Sequence, residues 1–190
     1  MSSHHIVREK QEPALYIHQL GNFNEEYLGQ LLEWSPTLIV NSSEYEKVIS
    51  LGLKVDVVLN PSTRHNYQEN TRLIESMKAD LVDVVEFLVI EGYAAVNIIN
   101  QEANLPDLID FLPDINVVMF TADTKNYAVK SGFKVWKPKG VEFKIPLTSY
   151  FETTNLLPNE KERFEVIKDG FVEFIFAGEY LFITEFYDPA

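Results

Sequence analysis

The sequence predicts an α/β segment followed by a β-rich segment. Three observations lead there. Between residues 14 and 59, three short apolar runs alternate with two helical patterns, as right-handed parallel crossovers require. After about residue 121 the apolar period shifts from that of helices to that of strands. The last stretch carries three apolar runs separated by Lys168-Asp169-Gly170 and Ala177-Gly178-Glu179, and Asp-Gly between apolar runs signals a hairpin. The expected architecture is an N-terminal parallel sheet with helices on its faces, residues 1–125, and an all-β C-terminal part, residues 126–190, folded as an antiparallel sandwich or meander.

Ala14-Leu15-Tyr16-Ile17 reads as the first strand. Asn24-Glu25-Glu26 opens a helix, with an Asn cap and acids that suit the helix dipole; Tyr27, Leu28, Leu31 and Leu32 share its apolar face, and Pro36 ends it. Thr37-Leu38-Ile39-Val40 is apolar on both faces, like a buried parallel strand. Ser43 and Glu46 have the spacing of a capping box before Tyr45, Val48 and Ile49, and Gly52 stands at the C-terminal cap position. Residues 54–59 give a third strand. Residues 60–71 are a polar loop, and a short helix is expected around Leu73 to Met77.

Asp80 starts the clearest helix, striped by Leu81, Val84, Val85 and Leu88 and closed by Gly92. Residues 96–99 and 115–120 are strands flanking a short helix over 105–112, with Asn104 as its cap. Residues 126–130, 133–136, 141–145, 164–167, 171–176 and 180–186 are the strands of the β part.

Composition narrows the function. A hydrophobic fraction of 46% over 190 residues is enough to build a real core. With no cysteine, thiolate nucleophiles, disulfides and zinc–cysteine sites are excluded. Sixteen basic against 29 acidic residues give a net charge of −13, which repels phosphate backbones and anionic lipid, so no nucleic acid and no membrane is expected as a partner. The polar first ten residues lack the apolar stretch of a signal peptide, and a cytoplasmic location is expected.

No complete catalytic set stands out. His4 and His5 are adjacent and point apart on an extended chain, while His18 and His65 lack a serine or carboxylate partner at a recognisable spacing. No Gly-rich phosphate loop is present. Asp56, Glu75, Asp80, Asp83 and Asp107 are the acids with possible work. Asp80 reads either as a helix cap or as a magnesium ligand, Asp107 as a first-turn helix acid, and Lys78 as a solvated lysine or a phosphate contact. Trp34 and Trp136 read as core or edge packing rather than as stacking platforms.

Residues 1–15 resemble the opening of Bacteroidetes-type thiamine pyrophosphokinases. Glu33-Trp34-Ser35-Pro36, residues 51–57, 80–97 and 117–119, and the closing Lys168-Asp169-Gly170 hairpin resemble the same family, so the likeness covers essentially the whole chain. It implies a homodimer of two-domain chains that transfers pyrophosphate from ATP to the thiamine hydroxyl with magnesium. It further implies Asp80 and Glu75 as catalytic acids, Asp80 and Asp107 as metal ligands, Lys78 as a nucleotide contact, and Thr153 and Thr154 as substrate contacts.

The sequence departs from that family at its chemistry. Asn41-Ser42 stand for Asp-Gly, and Asn60-Pro61-Ser62-Thr63 for Gly-Asp-Phe-Asp. Glu75-Ser76-Met77-Lys78-Ala79-Asp80 stand for Asp-x-x-Lys-Thr-Asp, residues 102–108 for Gly-Arg-x-Asp-His, and Arg163-Phe164 for Ser-Asn. Each lost electrostatic contact is worth about 3–4 kcal/mol at a transition state. The expectation is therefore an inactive relative with an interaction or ligand-binding role and no cofactor. The alternatives are a working, magnesium-dependent enzyme built on relocated acids, and a thiamine or nucleotide sensor without turnover.

Overall fold

The computed structural model describes residue 10 and residues 12–75, 80–146 and 150–187. Its strands are β1 (Ala14–Ile17), β2 (Leu38–Asn41), β3 (Val57–Leu59), β4 (Arg72–Ile74), β5 (Ala95–Ile99), β6 (Asn116–Phe120), β7 (Thr124–Val129), β8 (Phe133–Lys137), β9 (Glu142–Lys144), β10 (Phe151–Thr154), β11 (Leu156–Pro158), β12 (Phe164–Val166), β13 (Gly170–Phe176) and β14 (Leu181–Phe186). The α-helices are α1 (Glu25–Leu32), α2 (Tyr45–Ser50) and α3 (Asp80–Ile90), and 3-10 turns span Ser42–Glu44 and Leu105–Phe111.

Among the described residues, eleven strands form one sheet in the order β11-β12-β9-β14-β7-β6-β5-β1-β2-β3-β4. From β6 to β4 neighbouring strands are parallel. Beyond β6 all pairs are antiparallel, and the direction changes at the turn 121–123. β10, β13 and β8 form a second, antiparallel sheet. The molecule is thus a mixed sheet with helices plus a large antiparallel β region.

Strand alternation builds two cores on the parallel part. Tyr16, Ile39, Leu59 and Ile98 face Val84, Val85 and Leu88 of α3, whereas Leu15, Ile17, Val40 and Ile99 face Leu28 of α1 and Val48 of α2. α1 starts where the side chain of Asn24 accepts the amides of Glu26 and Tyr27 at 2.8 and 3.2 Å. α3 stops where Gly92, at φ 80°, turns the chain and the Tyr93 amide returns to the Leu88 carbonyl. A third core fills the sandwich: Phe143, Val166, Leu181 and Ile183 of the large sheet meet Val172, Phe174 and Phe176 of the small one.

Five local expectations are corrected. The helix around Leu73 to Met77 is instead β4 over residues 72–74, with Met77 outside the described residues; the Arg72 amide bonds to the Asp56 carbonyl and the Asn60 amide to the Ile74 carbonyl, and sheet pairing overrides the local pattern. The third strand starts at Val57, not Lys54. The Ser43–Glu46 capping box does not form: Asn41 takes the Ser43 amide first, through a 3-10 turn, and Glu46 turns to His65. Asn104 makes no side-chain cap.

The meander is the fifth. β12 pairs with β9 and β11, β13 with β8 and β10, and β14 with β7 and β9. Lys168-Asp169-Gly170 and Ala177-Gly178-Glu179 therefore carry the chain between sheets and do not close hairpins. Asn155 brackets Lys168, donating to its carbonyl at 2.7 Å and accepting its amide at 3.2 Å, while Asp169 accepts the Lys139 amide at 2.8 Å. These bonds tie the corner to the β10–β11 and β8–β9 connections, outside the supposed hairpin. Trp34 and Trp136 lie at the surface and not in the core, 71% and 55% exposed.

Candidate active-site crevice

In the order β6-β5-β1-β2-β3-β4, the chain winds outward from β1 in one direction through β4 and then restarts on the other side with β5. Such a switch point opens a crevice beyond the C-terminal strand ends, where ligands of open α/β sheets bind. Three strands reach that edge with an asparagine: Asn41 ends β2, Asn60 follows β3 and Asn100 follows β5. The recurrence is visible in the sequence, as Val40-Asn41, Leu59-Asn60 and Ile99-Asn100. The reading by motif passed over it because asparagine after a strand is also common turn chemistry.

At the switch point itself, the amides of His18 and Gln19 both bond to the Ile99 carbonyl, at 3.0 and 3.3 Å. The Tyr16 hydroxyl lies 2.9 Å from His18 Nδ1. Gly21, at φ 53°, packs so close to the Gln101 side chain that a Cβ would come within 2.7 Å of its amide nitrogen. Buried Asn100 holds its own turn, donating to the Glu102 carbonyl and accepting the Gln101 amide, both at 2.9 Å. The Leu20 amide bonds to the Glu44 carboxylate at 3.2 Å, and Lys47 donates to the Gly21 carbonyl.

Beside β2 and β3, the Ser62 amide donates to the Tyr67 hydroxyl at 2.6 Å and to Ser42 Oγ at 3.2 Å, and the Tyr67 hydroxyl donates back to the Ser62 carbonyl. His65 Nδ1 lies 2.9 Å from a Glu46 oxygen, a carboxylate partner 19 residues away that spacing alone did not suggest. Around the rim, amides and hydroxyls hydrogen-bond among themselves and to backbone, and Glu44, Lys47, Glu46 and His65 are each bonded to a neighbouring group of the protein.

No protein-family model matches the sequence, and no curated protein matches it. Solved structures do. Thiamine pyrophosphokinase from Bacillus subtilis superposes with a TM-score of 0.71 at 10% identity, over 93% of this chain and 99% of that one. Yeast thiamin pyrophosphokinase gives 0.68 at 6% identity, over 93% and 86%, and the Candida albicans enzyme 0.66 at 8%, over 93% and 90%.

The chain has the thiamine pyrophosphokinase fold.

Placed on that fold, the singled-out residues lie as follows. Glu75 is exposed just after β4, at the sheet's outer edge, and Asp107 is exposed in the first 3-10 turn after β5. Four strand steps separate β4 from β5, about 19 Å at the usual strand spacing. Asp80 opens α3 on the same side of the sheet. Lys78, His4 and His5 lie outside the described residues.

Asp56 precedes β3 and so stands at the opposite end of the sheet, bonded to the Leu38 amide at 3.0 Å and paired with Lys54 at 3.5 Å. Magnesium needs several oxygen ligands in near-octahedral array. Among the described residues no three His, Asp or Glu side chains group to hold a metal; the Asp80 side chain lies outside what the structure describes.

In the thiamine pyrophosphokinase fold's β region, Thr153 and Thr154 are successive residues of β10 and point to opposite faces. Thr154 Oγ1 accepts the Glu173 amide at 3.1 Å, and Thr153 Oγ1 donates to the Thr154 carbonyl. Arg163 pairs with Glu142 at 2.7 Å and stacks over the Phe186 ring at 3.4 Å. No described helix is long and apolar enough to cross a membrane.

Proposed function

We propose that this chain is a thiamine pyrophosphokinase-like protein that no longer transfers pyrophosphate and keeps its crevice for ligand binding or protein interaction. The observation that carries this reading is chemical. Asn41, Pro61 and Thr63 stand after β2 and β3 where the resembled family carries carboxylates, and beside them Ser42, Ser62 and Tyr67 hydrogen-bond among themselves. A metal–triphosphate complex needs anionic ligands for its cation and cationic groups opposite its charge. Amides and hydroxyls suit a neutral or weakly charged ligand instead.

On this reading the chain works in the cytoplasm as a homodimer, with residues 1–125 as the crevice-bearing domain and residues 126–190 as the substrate-side domain carrying Thr153 and Thr154. AMP release from ATP and thiamine in the presence of magnesium tests the reading. The expected rate equals that without protein. Slow turnover that disappears in Glu75→Gln or Asp80→Asn would establish a working enzyme on relocated acids. Separate calorimetric titrations with thiamine and with ATP test the sensor role: saturable heat without AMP release identifies the ligand, and no heat from either leaves protein interaction.

A further inference from the structure

A groove of about 510 Å³ lies away from the crevice, between the β6–β7 strands and the edge strand β8. Its volume is in the range of small-molecule sites. In a chain of net charge −13, its charged lining is basic: Lys125, Lys130 and Lys137 all border it, together with the rings of Tyr127, Phe133 and Tyr180. Tyr127 and Phe133 meet edge-on at 6.3 Å.

The nearby carboxylate is already engaged. Glu185 pairs with Lys137 and accepts the Tyr127 hydroxyl at 3.1 Å. The ammonium of Lys125, a residue in register with Glu185 on the neighbouring strand, makes no hydrogen bond or ion pair among the described residues; it lies over the Tyr127 and Phe120 rings at 5.5 and 6.0 Å. Burial, countered by Glu185 and assisted by Lys137, holds the Lys125 ammonium below its ordinary pKa. At the other end of the groove, Lys130 sits 5.5 Å from the Tyr180 ring. The Tyr180 hydroxyl there is sealed from solvent with no hydrogen-bond partner among the described residues.

We infer that this groove binds a planar aromatic anion, with its anionic group against Lys125 and Lys137 and its rings along Tyr127 and Phe133. A neutral apolar ligand would bury the ammonium groups without compensation. An anion offsets Lys125 and Lys130, neither of which has an ion-pair partner among the described residues. This inference is independent of what the crevice does.

The test uses 1-anilinonaphthalene-8-sulfonate and its uncharged analogue N-phenyl-1-naphthylamine on the full chain, followed by fluorescence. Expected are one saturable site for the sulfonate, at least tenfold weaker binding of the neutral analogue, at least tenfold loss of sulfonate affinity in Lys125→Met, and a severalfold loss in Lys130→Met. Lys130 is exposed, so Lys130→Met serves if Lys125→Met fails to fold. Absence of a saturable site, equal affinity for the two probes, or variants that bind like the parent would overturn the assignment.

Discussion

The carboxylate of Asp56 accepts the backbone N–H of Leu38, on the neighbouring parallel strand, at 3.0 Å. That bond fixes what this acid does. It sits at the N-terminal end of β3, away from the crevice, and satisfies an amide where β2 begins. Charge-assisted bonds to backbone are worth about 1.5–3 kcal/mol, and the partial exposure of Asp56 puts it at the low end. Asp56→Ala is expected to lower unfolding stability by about 1–2 kcal/mol in urea titrations, and Asp56→Asn, which keeps an acceptor, by less. Ligand binding in the crevice should be the same in all three proteins; a selective loss of binding with unchanged stability would contradict the assignment.

Tyr67 closes the loop after β3 onto β2. Its hydroxyl accepts the Ser62 amide at 2.6 Å and donates to the Ser62 carbonyl at 3.0 Å, while its ring lies edge-on to Tyr45 at 4.8 Å. Tyr67→Phe keeps the ring and deletes both bonds. About 1 kcal/mol of stability should be lost, and hydrogen exchange of the Ser62 amide should accelerate far more than that of the β2 amides. Uniform acceleration across both segments would mean that Tyr67 acts through the core and not through the loop.

The parallel half was legible because its signals are local. Val84, Val85 and Leu88 recur at helical spacing, and β1 is apolar at all four positions. β4 was not legible: Arg72-Leu73-Ile74 has no pattern of its own and becomes a strand because β3 offers an open edge. The β region shows the same limit. The runs that become β12, β13 and β14 are plain in the sequence, but their partners are set by the sandwich core, in which Phe174 must face Phe143 across the sheets. Hence an Asp-Gly corner imitates a hairpin. At the crevice, missing carboxylates were readable by motif, whereas the His65–Glu46 pair and the lysines around Tyr127 are assembled only by tertiary contacts.

Glu142 gives the acid response a definite direction. The hydrogen bond from Arg163, above all, and that from Lys161 hold its carboxyl below the usual 4.5, against the opposing effect of partial burial. Because the folded value is below the unfolded one, the stabilisation is present above 4.5 and is lost as the pH falls through the folded value. Arg163→Met should destabilise the protein at pH 7 and flatten the stability decline below pH 4.5, read from urea midpoints at a series of pH values. Parallel declines for parent and variant would show that this pair contributes nothing to acid unfolding.

Phe174 and Trp136 provide the sharpest contrast in packing. Phe174 is wholly buried, in contact with the Phe133, Phe143 and Phe151 rings at 6.3, 5.8 and 6.5 Å, and it joins the two sheets of the sandwich. Trp136 is 55% exposed on the outer face of β8, opposite Phe171. Phe174→Ala removes ring contacts and leaves a cavity that the rigid sheets cannot close, at a cost of about 3–5 kcal/mol. Trp136→Ala loses partial burial alone and should cost less than about 1 kcal/mol. Chemical denaturation of the two variants measures this difference. Equal losses would mean that the outer face of β8 is covered in solution, since only burial against something else could make an exposed tryptophan as valuable as a core phenylalanine.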